Sequence, residues 1–351
     1  MIGLKQLGFI GYNYLHSNLA RNYKKKPSIS QACNGSLFIF YWFAPNQILE
    51  VIKFIKVYNA VYPNSKIYLV TDKIHEPLLQ SLEVNCCVIS IKRVTKRLGI
   101  QSFFNVWKKI KTIKPSLVVD FHGTSLTQFF TLQSGALSMG LVRGEQSNVN
   151  PYHYFINSMN QPLESIVKKF MVQLNLPTDA VQLSYKSLEQ FRPKLELILS
   201  KEIGYVPTNY LIVHLTYGNM FDLFNEHQKN WYQFLHTLQV KCPTSHILLT
   251  GFAADVSYHT ALIDLLNKHA EHQICSLAGK LTWREALLLA KGATTVFTNY
   301  YPMQAPLKVA HVHAIAITPR PTPSFIDQYS IAKLENFDWH GCVPIIESTL
   351  K

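Results

Sequence analysis

Acidic and histidine side chains stand where two predicted strands end. Asp120 and His122 close the apolar segment 117–121, and Asp255 follows the apolar segment 246–250. Ligands of open α/β sheets bind beyond the carboxyl ends of the strands. There Asp120 or His122 could deprotonate or orient a hydroxyl, and Asp255 could accept hydrogen bonds from a ribose. The alternative is that these acids only cap turns or helices.

Several common signatures are missing from the sequence. It contains no H-E-x-x-H, Walker loop, G-x-G-x-x-G, D-x-D or C-x-x-C pattern. We therefore expect no metal site and no cofactor. The six cysteines lack the spacing of a disulfide frame or a zinc site, which indicates reduced thiols and a cytoplasmic protein.

Composition indicates a well-buried globular chain with an anionic partner. The 351 residues are 48% hydrophobic and 16% charged, which favours two domains over one. The net charge of +13 suits a phosphate-bearing small molecule, a membrane surface or nucleic acid. The lysines are spread along the chain and no nucleic-acid-binding motif occurs, so nucleic acid is not expected.

The first half alternates short apolar segments with helical patterns. Strands are predicted at 37–43, 66–70, 88–91 and 117–121, and helices at 48–58, 103–113 and 163–174. The helix at 103–113 is basic and amphipathic. The polar stretch 145–162 predicts a long loop. Residues 1–35 form a basic extension with helical spacing and the run Lys24–Lys26, either a frayed, solvated helix or a foot on an anionic membrane.

The second half restarts the same alternation. Strands are predicted at 210–215, 246–250, 295–298 and 314–318, and helices at 231–240, 257–269 and 283–291. A capping box of Thr282 and Glu285 opens the last helix. The pattern predicts an α/β protein with two Rossmann-like domains facing a central cleft: an N-terminal domain at 36–183 and a C-terminal domain at 184–351. The tail from Ser324 could pack back onto the first domain.

Motifs of the second half resemble those of glycosyltransferase family 9, the bacterial heptosyltransferases of lipopolysaccharide core assembly. The resemblance lies in their order: His214-Leu215-Thr216-Tyr217, Lys229-Asn230-Trp231, Leu248-Leu249-Thr250-Gly251 with Asp255, and Leu277 to Thr282. The first half is similar more faintly, through Gln47-Ile48-Leu49 with Pro63 and through Asp120-Phe121-His122-Gly123. The resemblance spans about residues 36 to 320.

The sequence lacks charged residues that the family has in two of its motifs. The family's D-[ST]-G-x-x-H stretch corresponds to Thr298–Gln304, with Asn299 or Tyr300 at the aspartate position. Gln47 replaces the family's proposed base, and a glutamine cannot accept a proton at neutral pH. Glu50, one turn further, could substitute, or it is a solvated helix glutamate.

The resemblance implies a hexosyl or heptosyl transferase that moves a sugar from a nucleotide-sugar donor to a lipopolysaccharide, capsule or other surface glycan. Without D-x-D, the transfer would be metal-independent. Lys229 would carry the cation that faces the diphosphate, with Thr216 and Tyr217 as hydrogen-bond donors. The implied catalytic residues are Gln47, Asp120 and His122, and the implied donor-binding residues are Thr216, Tyr217, Lys229, Asp255, Leu281, Asn299, Tyr300 and Gln304.

Two other functions fit the same sequence. A catalytically inactive relative would bind nucleotide sugar or glycan without turnover, and a basic nucleic-acid-binding protein would lose oligonucleotide affinity steeply with salt. For the transferase, the expected partners are a nucleotide sugar, a glycan or glycolipid acceptor, and the anionic inner face of the cytoplasmic membrane as a peripheral contact.

Overall fold

The structure is a computed structural model. It describes residues 28–42, 47–94, 97–142, 152–157, 161–179, 181, 183–185, 187–216, 224–266, 274–299, 303, 306–307 and 309–316. Of Ile74, Pro77, Arg93, Val94, Arg97, Leu98, Ala316 and residues 224–230, only the backbone is described. The predicted N-terminal helix with Lys24–Lys26 and the tail from Ser324 lie outside these ranges.

The chain divides into two compact units. Unit 1 comprises Met1–Leu79 and Val84–Gln182, and unit 2 comprises Gln80–Glu83 and Leu183–Lys351. The short segment Gln80–Glu83 is tied into unit 2 by its backbone. Glu83 N donates to Ser184 O at 3.1 Å, and Arg284 donates to Gln80 O at 3.1 Å. Unit 2 is therefore built from two separate stretches of chain.

Unit 1 contains a six-stranded parallel sheet in the order β3-β2-β1-β6-β7-β8. Its strands are β1 (Leu37–Phe40), β2 (Ile67–Asp72), β3 (Cys87–Ile91), β6 (Leu117–Asp120), β7 (Leu137–Val142) and β8 (Tyr154–Asn157). A small antiparallel pair joins β4 (Arg93–Val94) and β5 (Arg97–Leu98). Its helices are α1 (Ile29–Cys33), α2 (Ile48–Val61), α3 (Glu76–Ser81), α4 (Ile100–Ile113), α5 (Ser125–Ser134) and α6 (Leu163–Gln173).

Helices cover both faces of this sheet. On one face, Val106 and Ile110 of α4 and Phe130 of α5 join the cluster that contains Phe38 and Phe40. On the other, α2 and α6 pack together, and Phe121 stands between Phe54 and Phe170 with ring centroids 5.3 and 5.4 Å apart. Because both faces are buried, the strands read as continuous apolar runs rather than alternating ones.

Unit 2 contains a five-stranded parallel sheet in the order β11-β10-β9-β12-β13. Its strands are β9 (Tyr210–His214), β10 (His246–Thr250), β11 (Ile274–Ser276), β12 (Thr295–Thr298) and β13 (Ala314–Ala316). Its helices are α7 (Arg192–Ile203), α8 (Phe224–Lys241), α9 (Val256–Leu266) and α10 (Trp283–Gly292). Trp231, Phe234 and Leu262 of α8 and α9 fill one face, and α7 and α10 cover the other.

The predicted fold class, parallel α/β sheets in both halves, is confirmed. Two local predictions are wrong. The supposed loop 145–162 contains β8, an edge strand of only four residues in which Ile156 alone is buried, so its short apolar run lies hidden in a polar stretch. The helix expected at 231 begins at Phe224, which places Lys229 in its second turn rather than at its start. Within the described residues, none of the helices is long and apolar enough to cross a bilayer.

Candidate functional site

In unit 1, Asp120 closes the turn that follows β6. Its Oδ1 accepts the backbone N–H groups of His122 at 2.8 Å and Gly123 at 2.9 Å, and its Oδ2 accepts the Tyr152 hydroxyl at 2.5 Å. The carboxyl group is fully buried. Burial raises the pKa of Asp120, against the lowering effect of Thr127, Tyr152 and the two N–H groups. Both oxygens are thus engaged in shaping the strand end.

Tyr152 reaches Asp120 only because a glycine lies beneath its ring. A Cβ atom at Gly140 would stand 2.2 Å from the Tyr152 ring, far inside contact distance. Gly123 is constrained as well, since its φ is +65° and a Cβ would meet the Leu141 carbonyl at 2.8 Å. The geometry of this turn therefore explains both the aspartate and the glycine of the D-x-H-G sequence, Asp120 and Gly123.

His122 lies against the end of β1. Its ring centroid is 4.2 Å from that of Trp42, and only 4% of the residue is exposed. The two predicted residues Asp120 and His122 thus share one tight turn. The acid holds the histidine's backbone rather than its imidazole.

Gln47 and Glu50 lie at the start of α2. The Tyr41 hydroxyl approaches Gln47 Oε1 at 3.5 Å, the outer limit of a hydrogen bond. Glu50 Oε1 pairs with Lys53 Nζ at 2.8 Å on the same helix. Glu50 is therefore engaged with a lysine of its own helix.

In unit 2, Asn299 clamps the turn that follows β9. Its Oδ1 accepts the Thr216 N–H at 2.9 Å, and its Nδ2 donates to the Thr216 carbonyl at 3.0 Å. The Asn299 N–H donates to His214 O at 3.2 Å. These contacts bring together two residues that the sequence predicts as donor-binding. Asn299 fixes the backbone of Thr216.

The clamp leaves the Thr216 hydroxyl available. Thr216 is 3% exposed, and its Oγ1 has no hydrogen-bond partner in the described part of the chain. Buried hydroxyl groups are normally paired, so each exception calls for an explanation.

A histidine on α9 connects the turns that follow β9 and β11. His259 Nε2 lies 2.9 Å from Leu215 O and its Nδ1 3.0 Å from Ser276 Oγ, which also accepts the Ala278 N–H at 3.3 Å. Because a carbonyl only accepts, Nε2 carries the proton and Nδ1 accepts from Ser276. These hydrogen bonds fix the carbonyl group of Leu215, the residue before Thr216.

Burial disfavours the charged form of the two histidines His214 and His259 at this edge. Burial, and then the nearby His259, lower the pKa of His214 to about 3; its Nδ1 pairs with Thr250 Oγ1 at 2.9 Å. Burial also lowers the pKa of His259, although the Leu215 carbonyl and Asp255 act in the opposite direction.

Asp255 and Leu281 both make contacts within unit 2. Asp255 is 2% exposed, and its Oδ2 accepts the Phe252 N–H at 2.7 Å, which closes the turn before α9. Leu281 packs on the core cluster of α7 and α10. The predicted capping box is present beside it, with the Thr282 N–H 2.7 Å from Glu285 Oε2.

The remaining predicted residues have no described side chain. Tyr217, Tyr300 and Gln304 lie outside the described residues, and Lys229 is described only as helical backbone. Conversely, Tyr152, His259 and Ser276 were not predicted as site residues from the sequence. A histidine in the middle of an apolar helical pattern is the one signal that could have indicated His259.

The Asn299 clamp predicts a stability loss. Asn299→Ala should lower the free energy of unfolding by about 1–3 kcal/mol, because it strips the partners of a part-buried N–H and C=O. Asn299→Asp should be at least as damaging, since a carboxylate oxygen would face the Thr216 carbonyl. Denaturant unfolding followed by fluorescence measures both. Exposed Asn209, whose Oδ1 contacts only Thr294 Oγ1 among the described bonds, is the matched control; an equal loss in Asn209→Ala would contradict the clamp.

Comparison with solved structures relates the whole fold to known proteins. The chain is similar to a glycosyltransferase family 9 protein of Veillonella parvula, at a TM-score of 0.66 and 14% identity over 90% of each chain. It is similar to Escherichia coli ADP-heptose lipopolysaccharide heptosyltransferase II, at 0.63 and 12% over 90% of this chain and 98% of that one. It is also similar to the UDP-GlcNAc 2-epimerase of Methanocaldococcus jannaschii, at 0.54 and 13% over 90% and 93%.

The resemblance to family 9 that the motifs predict is thus confirmed for the fold, which is of the glycosyltransferase B type. No family profile and no curated protein sequence matches the chain.

Proposed function

We propose that this protein is a glycosyltransferase that takes a sugar from a nucleoside-diphosphate sugar. The acceptor is a lipopolysaccharide, capsule or other surface glycan, and the transfer needs no metal ion. Unit 2 binds the donor and unit 1 the acceptor, at the inner face of the cytoplasmic membrane.

Two facts support a nucleoside-diphosphate sugar as the donor. The heptosyltransferase and the epimerase that share the fold are named for ADP-heptose and UDP-GlcNAc, two sugars of this class. The net charge of +13 favours a diphosphate ligand electrostatically. Because a fold alone does not define a function, the proposal also needs a site.

The observation that carries the proposal is the buried hydroxyl of Thr216. It stands at the carboxyl end of β9, where α/β sheets bind ligands. A phosphate oxygen of the donor would supply the acceptor that this hydroxyl lacks. Asn299 and His259 serve that contact by fixing the backbone on either side of it. The other proposed donor contacts are Tyr217, Lys229, Asp255, Leu281, Asn299, Tyr300 and Gln304.

On the acceptor side, His122 is the proposed proton acceptor. Asp120 already uses both oxygens on the turn, and Gln47 has no basic group. Histidine is the side chain whose ordinary pKa suits proton transfer near neutrality. Asp120 then acts as a positioning residue, through the backbone of His122.

Removing the Thr216 hydroxyl should weaken donor binding without harming the fold. We expect Thr216→Val to lower kcat/KM for the donor roughly tenfold to a hundredfold, the value of a hydrogen bond to a charged group. Its melting temperature should stay the same or rise, because the lost hydroxyl has no partner in the described protein. Thr216→Ser should restore most of the activity.

The assay begins with ADP and UDP titrations and continues with product formation over a panel of nucleotide sugars and acceptors. Thr131→Val is the matched control, because it removes a buried hydroxyl that is bonded to Thr127 O at 2.8 Å in unit 1. It should lose stability but keep its donor KM. Wild-type donor affinity in Thr216→Val would rule out the phosphate contact.

The same panel separates the other two functions. Binding of a nucleoside diphosphate without turnover of any sugar would identify an inactive relative. Oligonucleotide affinity that falls steeply with salt, with no nucleotide-sugar preference, would identify a nucleic-acid-binding protein.

A further inference from the structure

Helix α4 exposes an apolar stripe that nothing in the described part of unit 1 covers. Ile100 is 78% exposed, Phe104 56% and Trp107 38%, and their spacing places them along one side of the helix. A different side of α4 packs on the sheet, through Val106 and Ile110, which are fully buried. The exposed stripe is therefore not needed for the core of unit 1.

The sequence on both sides of this stripe carries charge of one sign. No Asp or Glu occurs between residues 84 and 119, whereas basic residues occur repeatedly: Lys92, Arg93, Lys96, Arg97, Lys108, Lys109, Lys111 and Lys114. Lys108 and Lys109 are exposed on α4 itself. The surface thus combines protruding apolar side chains with unbalanced positive charge.

We propose that α4 is a membrane-docking helix, which seats unit 1 on an anionic lipid bilayer through Ile100, Phe104 and Trp107 and through the lysines beside them. Apolar side chains of an amphipathic helix enter the boundary between headgroups and acyl chains, and lysines pair with anionic headgroups. Tryptophan suits this boundary because its ring is amphipathic.

A bilayer explains the stripe better than nucleic acid does. Bases would stack on Phe104 and Trp107, but the most exposed member is the aliphatic Ile100, which gains free energy only by leaving water. Docking through α4 rests on the membrane location of the proposed function and assigns a surface to it, but it does not depend on donor chemistry. It also differs from the membrane foot predicted in residues 1–35.

The test is sedimentation of the full-length protein with phosphatidylcholine vesicles, with and without phosphatidylglycerol. We expect binding only when phosphatidylglycerol is present. Ile100→Ser with Phe104→Ser should weaken it about tenfold or more. Lys108→Gln with Lys111→Gln, two exposed lysines on the stripe side of the helix, should weaken it by roughly fivefold per lysine and reduce its salt dependence.

The matched control is Val172→Ser with Lys169→Gln on α6, which covers the other face of the same sheet. Val172 is 62% exposed, so this variant also removes exposed apolar surface and one charge. It should bind vesicles like the wild type. Circular dichroism should show every variant folded, since all these positions are exposed.

Three results would overturn the inference. The first is failure of the wild type to bind anionic vesicles. The second is equal binding by the α4 and α6 variants, which would place the contact elsewhere, for instance in residues 1–35. The third is an α4 requirement for oligonucleotide binding or for lipid-free dimers instead of vesicle binding, which would assign the surface to nucleic acid or a second copy. Each is independent of transferase activity.

Discussion

Asp120→Ala should destabilise the protein by roughly 3–5 kcal/mol, while Asp120→Asn should be nearly neutral. Alanine leaves the His122 N–H, the Gly123 N–H and the Tyr152 hydroxyl without their acceptor. Asparagine keeps a carbonyl oxygen for the two N–H groups, and its amide can donate to a rotated Tyr152 hydroxyl. Denaturant unfolding measures the difference.

The same pair of variants decides what Asp120 does in transfer. If Asp120 itself took the acceptor's proton, Asp120→Asn would lose roughly a hundredfold to ten-thousandfold in kcat. We expect the turnover of Asp120→Asn to stay within a few-fold of wild type, because the carboxyl is buried and engaged. Loss of turnover in a normally stable Asp120→Asn would return the catalytic role to the acid.

Asp120 should also leave a signature in the pH dependence of stability. Because burial raises its folded-state pKa, the folded protein holds this proton more tightly than the unfolded chain. The contribution of Asp120 to the free energy of unfolding is therefore complete below its pKa in the unfolded chain, about 3.9. It is lost as pH rises through the pKa of the folded protein. Asp120→Asn, which stays neutral, should remove that trend.

Acid should unfold unit 2 through its buried histidines. The pKa values of His214 and His259 are lowered in the folded state, that of His214 to about 3. Stability is therefore complete above the unfolded value of about 6.5 and is lost as pH falls toward the folded pKa. Each histidine that must charge raises the unfolding constant by about tenfold per pH unit in that window.

His259→Gln isolates this effect. A glutamine amide can still donate to Leu215 O and accept from Ser276, but it does not titrate in this range. The free energy of unfolding is measured for the wild type and for His259→Gln at several pH values in this window. The difference between the two proteins should fall, as pH falls, by up to 2.303RT per pH unit, which is the slope for uptake of one proton. His236→Gln, on the exposed side of α8, is the matched control. Parallel slopes for wild type and His259→Gln would show that His259 takes no part in acid unfolding.

Much of the fold could be read from the sequence where burial is uniform. The strands predicted at 246–250 and 295–298 coincide with β10 and β12, because a strand buried on both faces is an unbroken apolar run. The same rule failed for β8 at the sheet edge. It also missed α5, whose capping pair is Thr124 and Thr127 rather than the usual Ser or Thr with Glu.

The candidate site was less predictable because its bonds join distant positions. Thr216 and Asn299 were both predicted to face a ligand, yet the structure pairs them with each other across 83 residues. The His259 contact to Leu215 spans 44 residues and depends on which ring nitrogen carries the proton. Neither partner choice is encoded in local spacing, so only the three-dimensional arrangement reveals it.

The segment Gln80–Glu83 gives unit 2 an unusual dependence on the order of synthesis. These residues leave the ribosome with unit 1, about a hundred positions before Ser184, to which Glu83 bonds, and further still before Arg284. Domains generally fold as they emerge, starting from the N-terminus. Unit 2 is therefore complete only when this short piece, which is made early, contacts residues that are made at least about a hundred positions later. A C-terminal fragment that begins at Leu183 would lack the Gln80–Glu83 segment of unit 2.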